Sequence, residues 1–366
     1  MKSLLSGLRG LLGSRPAGGI KPEDAPGTLI NAYATTRARA AIPFPHVLHA
    51  HRDRRDPELA AHLRGFEGYV TAQGERTMTA KRYRVLRHIA RVQQQFSLSV
   101  PDEQRDAFAA WAESVNAIAF LPDGSVRDPG GRVLVAPGDG AVDPASELPF
   151  PADARARKER TQAVLAGRAL RVPTSLPPRE SEAEIQPRFA VDIAGRAAAL
   201  AVVSIRAESA RDGAPIPAGE LLRRLPSAGA HLTPTEREFL ADDAPPPEAI
   251  SRAGWHYESL LILEWMLGLV PGLPFPDAIC DAGAVTRIVL DQSAKNPAEA
   301  RLRTPGELLD ALDLHYRLHW LAVDARLKQT PAPAGLLESV LEYRHHALNW
   351  LVRFMDADWD DVTTPT

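Results

Sequence analysis

Near the C-terminus the chain sets Arg, Asp and His among apolar residues at helical spacing, where ion pairing, proton transfer or metal ligation could occur. In PGELLDALDLHYRLHWLAVDARL, Asp310, Asp313, Arg317 and Asp324 fall within about 60° of one another on a helical wheel. His315, His319 and Arg326 fall within about 40°, nearly opposite. Apolar flanks separate the two polar stripes, so both sides of this helix are expected to be packed. Farther on, Glu338, Glu342, His345, Asn349 and Arg353 form what reads as a solvent stripe, whereas Arg344 lies among Val340, Leu348, Leu351 and Met355. Glu258 similarly shares a face with Leu261, Ile262 and Trp265. An unpaired charge in such a sector costs several kcal/mol. Arg344 is therefore expected to pair with Glu258 or with one of Asp310, Asp313 and Asp324, since a guanidinium fork suits a carboxylate.

Two outcomes follow from buried Arg–carboxylate pairs. One is a structural clasp that fixes helix register. The other is a polar pocket in which Glu258, Asp310, Asp313, Arg317, His319, Asp324 and Arg344 hold a polar or anionic ligand. His315 and His319 have the i,i+4 spacing that lets two imidazoles meet one zinc ion, but Tyr316 stands where the protease motif needs glutamate. The reading assigns no metal and no cofactor. The tail DADWDD lacks the glycine and distal glutamate of a calcium loop and reads as a solvated acidic end. Nucleophile-elbow, Walker A and dinucleotide-binding motifs are missing. The lone Cys280 reads as a small core residue.

Composition narrows the classes further. A net charge of -3 gives no basic field for nucleic acid. One cysteine excludes an intrachain disulfide, and no apolar run reaches the roughly 18 residues of a membrane span. In MKSLLSGLRGLLG, leucines gather opposite Lys2 and Arg9, but three glycines weaken the helix, so membrane contact through residues 1–13 is the less favoured reading.

The elements that must position these residues read as α+β: a small α+β N-terminal domain followed by an all-α helical C-terminal domain. Residues 1–42 read as an N-terminal segment and linker, and 43–136 as a small α+β domain with helices on one face of a sheet. Residues 137–187 read as a Pro-rich connector with a short helix around DARARKERTQAVL, and 188–366 as helical. The 32 prolines, about twice the average share, support extended connectors. Thr233-Pro234 and Thr304-Pro305 each mark a helix start with a cap before proline. One helix is expected over 247–269.

Residues 188–366 resemble the bacterial domain of unknown function family 4272. The segments that carry the resemblance are GWHYESLLILEWMLG, LPFPDAICD, LHYRLHWLAVDARL, APAGL, YRHHALNWL and WDDVTTPT. The resemblance implies a bacterial protein and transfers no catalytic residue. Together these features point to a cytoplasmic interaction or immunity-type module, with another protein as its partner. The alternative is an enzyme or small-molecule binder that uses the polar core of the helical domain.

Overall fold

The computed structural model describes residues 25–292 and 296–366. The amphipathic stretch at residues 1–13 lies outside them. The chain divides into two compact units between Arg155 and Ala156.

The N-terminal unit is a six-stranded antiparallel sheet of β1 (Thr28–Ala34), β2 (Val47–Asp53), β3 (Gln94–Val100), β4 (Ala117–Phe120), β5 (Val126–Arg127) and β6 (Val133–Val135), in the order β2-β3-β1-β4-β5-β6. Strand β1 is central, running Thr28 opposite Val100 to Ala34 opposite Gln94 on one side and pairing β4 on the other. Within the N-terminal segment and linker expected over residues 1–42, this corrects the part from Thr28 to Ala34. The missing signal has a physical cause: a central strand with alanines at 32 and 34 and a buried Asn31 carries little hydrophobic patterning. Gly27 opens the strand at φ +94°, where a Cβ would lie 2.2 Å from the Val100 carbonyl oxygen, so only glycine fits.

Helices α1 (Pro57–Ala72), α2 (Ala80–Arg91) and α3 (Arg105–Ser114) cover both faces of the sheet, not one. Strand alternation explains the correction. Tyr33, Ile118 and Phe120 pack with Leu63, Phe66 and Ile89. Ile30, Ala32, Ala117 and Ala119 face the other way, onto Phe108 and Trp111. Asp56 caps α1 through the Glu58 N–H, with Pro57 in the first turn.

The C-terminal unit is helical: α4 (Ala152–Gly167), α5 (Ala190–Arg211), α6 (Ala218–Arg224), α7 (Ala228–His231), α8 (Pro234–Ala241), α9 (Pro247–Gly254), α10 (His256–Met266), α11 (Ala282–Gln292), α12 (Pro305–Leu327) and α13 (Glu338–Leu351). From Ala156 onward the described residues form no strand. Capping boxes start α8 at Thr233/Glu236 and α12 at Thr304/Glu307. Helices α5 and α10 are buried nearly all round, as expected of helices at the centre of a helical core. The single helix expected over 247–269 is two: the Glu258 N–H bonds the Trp255 carbonyl three residues back, and α10 restarts beyond Trp255. Part of the expected connector is stitched into this unit. Leu165 and Leu170 join a core cluster with Leu318 and Leu341, and Arg317 donates to the Pro177 carbonyl at 3.3 Å.

Candidate functional site

Glu258 stands in the first turn of α10 and Arg344 midway along α13, two helices packed side by side. Arg344 Nε donates to Glu258 Oε2 at 2.8 Å, with the guanidinium wholly buried and the carboxylate 2% exposed. Each partner uses a further atom on the connection between α10 and α11. Arg344 Nη1 donates to the Pro274 carbonyl at 2.6 Å, and Glu258 Oε1 accepts the Cys280 backbone N–H at 2.6 Å. The Leu337 N–H bonds the Pro276 carbonyl at 2.9 Å, and Ser259 Oγ bonds the Tyr343 carbonyl at 2.9 Å. The ion pair thus grips a proline-rich loop at both ends, because that loop has no ladder of its own to satisfy its peptide groups.

The Ile279–Asp281 end of the loop lines a cleft of about 830 Å³, within the range of ligand sites. Its lining includes Glu208, Arg211, Trp255, Tyr257, Glu258 and Asp281. Tyr257 Oη donates to Glu208 Oε2 at 2.7 Å, and burial followed by this carboxylate pushes the phenol pKa up. Cys280 also lines the cleft, but burial and then the Glu258 charge push its thiol well above the ordinary value. A thiol held in that form is a poor nucleophile. Asp281 caps α11 by accepting the Ala284 N–H at 2.9 Å.

The seven residues singled out from sequence do not converge on one pocket. Glu258 and Arg344 form the clasp. Asp313 and Arg317 form a second buried bidentate pair within α12, at 2.9 and 2.7 Å. Asp310 faces outward to Arg157 and Arg160, and Asp324 pairs with Lys328 near the surface. His319 turns to His345, Nδ1 to Nδ1 at 3.1 Å, which requires one ring to donate and the other to accept. His315 Nδ1 bonds the Ala311 carbonyl at 2.8 Å. Burial holds His315 and His319 down to about 4 and His345 well below its ordinary value. Among the described residues, no group of three or more His, Cys, Asp and Glu side chains is placed to hold a metal ion.

Two readings need correction. His345 and Asn349, expected on a solvent stripe, are fully buried. Asn349 Nδ2 donates to the Thr363 carbonyl at 2.8 Å, and its Oδ1 accepts from Arg179 at 3.1 Å. The acidic tail is solvated at Asp360 and Asp361, but Trp359 and Val362 are buried, and Trp359 packs edge-on to Trp350 and His346. Contacts from a tail packed on α13 were invisible to a wheel drawn for one helix alone.

A family model described as a domain of unknown function, DUF4272, matches residues 157–362, more than half of the chain. The chain belongs to this family. The DUF4272 region begins within α4, so it takes in the proline-rich segment before α5. No curated protein and no solved structure matches the chain. Within the DUF4272 fold, Glu258 comes from GWHYESLLILEWMLG, Pro274 and Cys280 from LPFPDAICD, and Arg344 from YRHHALNWL. These distant segments meet at the clasp. Sequence reasoning missed Glu208, Tyr257 and the loop backbone as parts of one site. The Pro-Phe-Pro run before Cys280 was the available signal, since its backbone groups had to find partners outside the loop.

Proposed function

We propose that the DUF4272 domain is an interaction module that receives a basic side chain of a partner protein in the cleft beside the clasped loop. One observation carries this reading: with Glu258 neutralised by Arg344, the cleft still sets two carboxylates, Glu208 and Asp281, against one guanidinium, Arg211, with the half-buried Trp255 beside them. A cation entering there gains from the net charge and from an aromatic face. Ile279, 66% exposed at the cleft, offers apolar area to the surface that carries the cation. The dry Arg344–Glu258 pair acts in this reading as the support of the cleft wall. A bacterial cytoplasmic setting goes with it, supported by a single cysteine that can form no intrachain disulfide.

A second reading, that of a small-molecule binder or enzyme acting on an amine, is favoured by the volume of the same cleft. Calorimetric titration separates the two, using an acetylated heptapeptide with a central arginine, its glutamate counterpart, and free arginine methyl ester. The interaction module binds the arginine peptide, rejects the glutamate peptide, and binds the free ester at least tenfold more weakly. Equal binding of peptide and ester favours the small-molecule reading, and no binding of any probe rejects both. Gly254→Arg is the blocking variant: Gly254 lines the cleft, and a Cβ there meets nothing within 4 Å.

A further inference from the structure

The cleft already holds a cation of its own. Glu208 lies in the last turn of α5 and its carboxylate is 42% exposed, so a ligand in the cleft reaches it. Its two oxygens are held differently. Oε2 accepts the hydroxyl of the buried Tyr257 at 2.7 Å, which fixes the carboxylate from one side. Oε1 faces Arg211 Nη2 at 3.8 Å, an ion-pair contact too long for a hydrogen bond. Arg211 is the last residue of α5, with its side chain 65% exposed. A second acid, Asp212, stands 3.9 Å from Nε, and among the described residues the guanidinium makes no hydrogen bond. Glu258 differs: both its oxygens are bound and Arg344 is its counter-ion. Asp281 is exposed and uses one oxygen to cap α11.

We infer that Arg211 is a built-in competitor for the cleft: a partner's basic side chain enters by displacing Arg211 from Glu208 and donates an N–H to Oε1, while Tyr257 holds the carboxylate in place. The inference rests on the reading of the cleft as a cation site and adds to it the acceptor and the exchange. The location favours positive charge for two reasons, the carboxylate itself and the C-terminal end of a 22-residue helix. Exchange is favourable because the two contacts differ in kind. An exposed pair at the distance of Arg211 is weak, whereas a charge-assisted hydrogen bond to Oε1 is among the stronger polar contacts. Arg211 leaves without repacking, since its side chain already stands mostly in solvent. One cation replaces another, so the charge at Glu208 stays balanced before and after binding.

The test is a double-mutant cycle on the full chain, titrated by calorimetry with the acetylated heptapeptide that carries a central arginine. Arg211→Gln removes the competitor and is expected to tighten binding about fivefold, the upper range for an exposed ion pair. Glu208→Gln removes the acceptor charge and is expected to weaken binding about tenfold. In the Glu208→Gln background the gain from Arg211→Gln should vanish, because there is no longer a carboxylate to compete for. Binding seen only in Arg211→Gln also supports the inference, as a wild-type cleft closed by its own cation. Equal or weaker binding in Arg211→Gln overturns it and leaves the cleft reading standing. A fivefold gain that persists without Glu208 overturns it as well, since Arg211 then acts by general repulsion. No binding in wild type or in Arg211→Gln overturns both.

Discussion

Arg344 and Glu258 lie 86 positions apart in the chain and meet at 2.8 Å out of reach of water, and both also bind the backbone of the loop between them. The pair links three elements: α10, α13 and the 274–280 loop. Coulomb attraction alone rarely exceeds the desolvation of two such ions, so the extra bonds to Pro274 and Cys280 are what make the arrangement favourable. Arg344 Nη2 has no partner among the protein atoms, and the clasp remains short of full satisfaction at that nitrogen.

Removing one member strands the other. Arg344→Ala is expected to destabilise the C-terminal unit by about 3–5 kcal/mol, as for other orphaned buried charges. Replacing both residues with apolar ones of similar volume should recover most of that loss. Denaturant unfolding of the single and double variants measures it. A single variant within about 0.5 kcal/mol of wild type, in the range of ordinary surface substitutions, would falsify the clasp.

Acid should loosen the helical unit well above the carboxylate range. His315, His319 and His346 are held down to about 4 and His256 to about 3, each first by burial. Above the unfolded value of about 6.5, native and unfolded chains are both neutral at these rings, and the stability is fully present. As pH falls toward 4, the unfolded chain takes up protons that the native state refuses, so stability is lost progressively. Urea midpoints at pH 7.5, 6 and 5 should fall in that order, and a flat series would contradict the neutral histidine cluster.

Glu264 works in the opposite direction. It is fully buried, both carboxylate oxygens lack partners, and burial pushes its pKa up to about 9. The folded state keeps the proton that the unfolded chain releases above its ordinary value, so stability declines as pH rises toward 9. Glu264→Gln removes the titration. The variant should show a flatter dependence of stability between pH 6 and 9 than the wild type, measured by the same urea midpoints; parallel curves would show that Glu264 is already ionised.

Cys280 should be sluggish toward thiol reagents. Burial and the neighbouring Glu258 charge suppress its thiolate even though the residue borders the cleft. At pH 8 its reaction with a disulfide reagent is expected to run at least tenfold slower in native protein than in urea. Comparable rates would place the thiol outside the influence of Glu258.

The clasp was legible in sequence because a charge in an apolar sector demands a partner, and Arg344 and Glu258 both occupy such sectors. Convergence of the other five residues was not legible. A helical wheel gives the angle of Asp310 or Asp324 but not the neighbour it meets: Asp310 found the buried Arg157 and the exposed Arg160, and Asp324 the exposed Lys328. His345 was misplaced for the same reason: its sector looked polar, yet α12 covers it through His319 and Tyr316. Capping boxes at Thr233 and Thr304 were readable because they are local. Strand β1 was not, because its partners lie sixty or more residues away and its alanines give no alternating signal.

Hydrogen exchange at the Cys280 amide tests the central claim most directly, since that N–H is held by Glu258 only while Arg344 holds Glu258. In wild-type protein the amide should be strongly protected. In Arg344→Lys, which keeps the charge but loses the fork to Pro274, it should exchange at least tenfold faster, while core amides of α12 such as Leu312 and Leu318 keep their protection. A Cys280 amide that exchanges freely in the wild type, or one unchanged in the variant, would contradict a loop held by this ion pair.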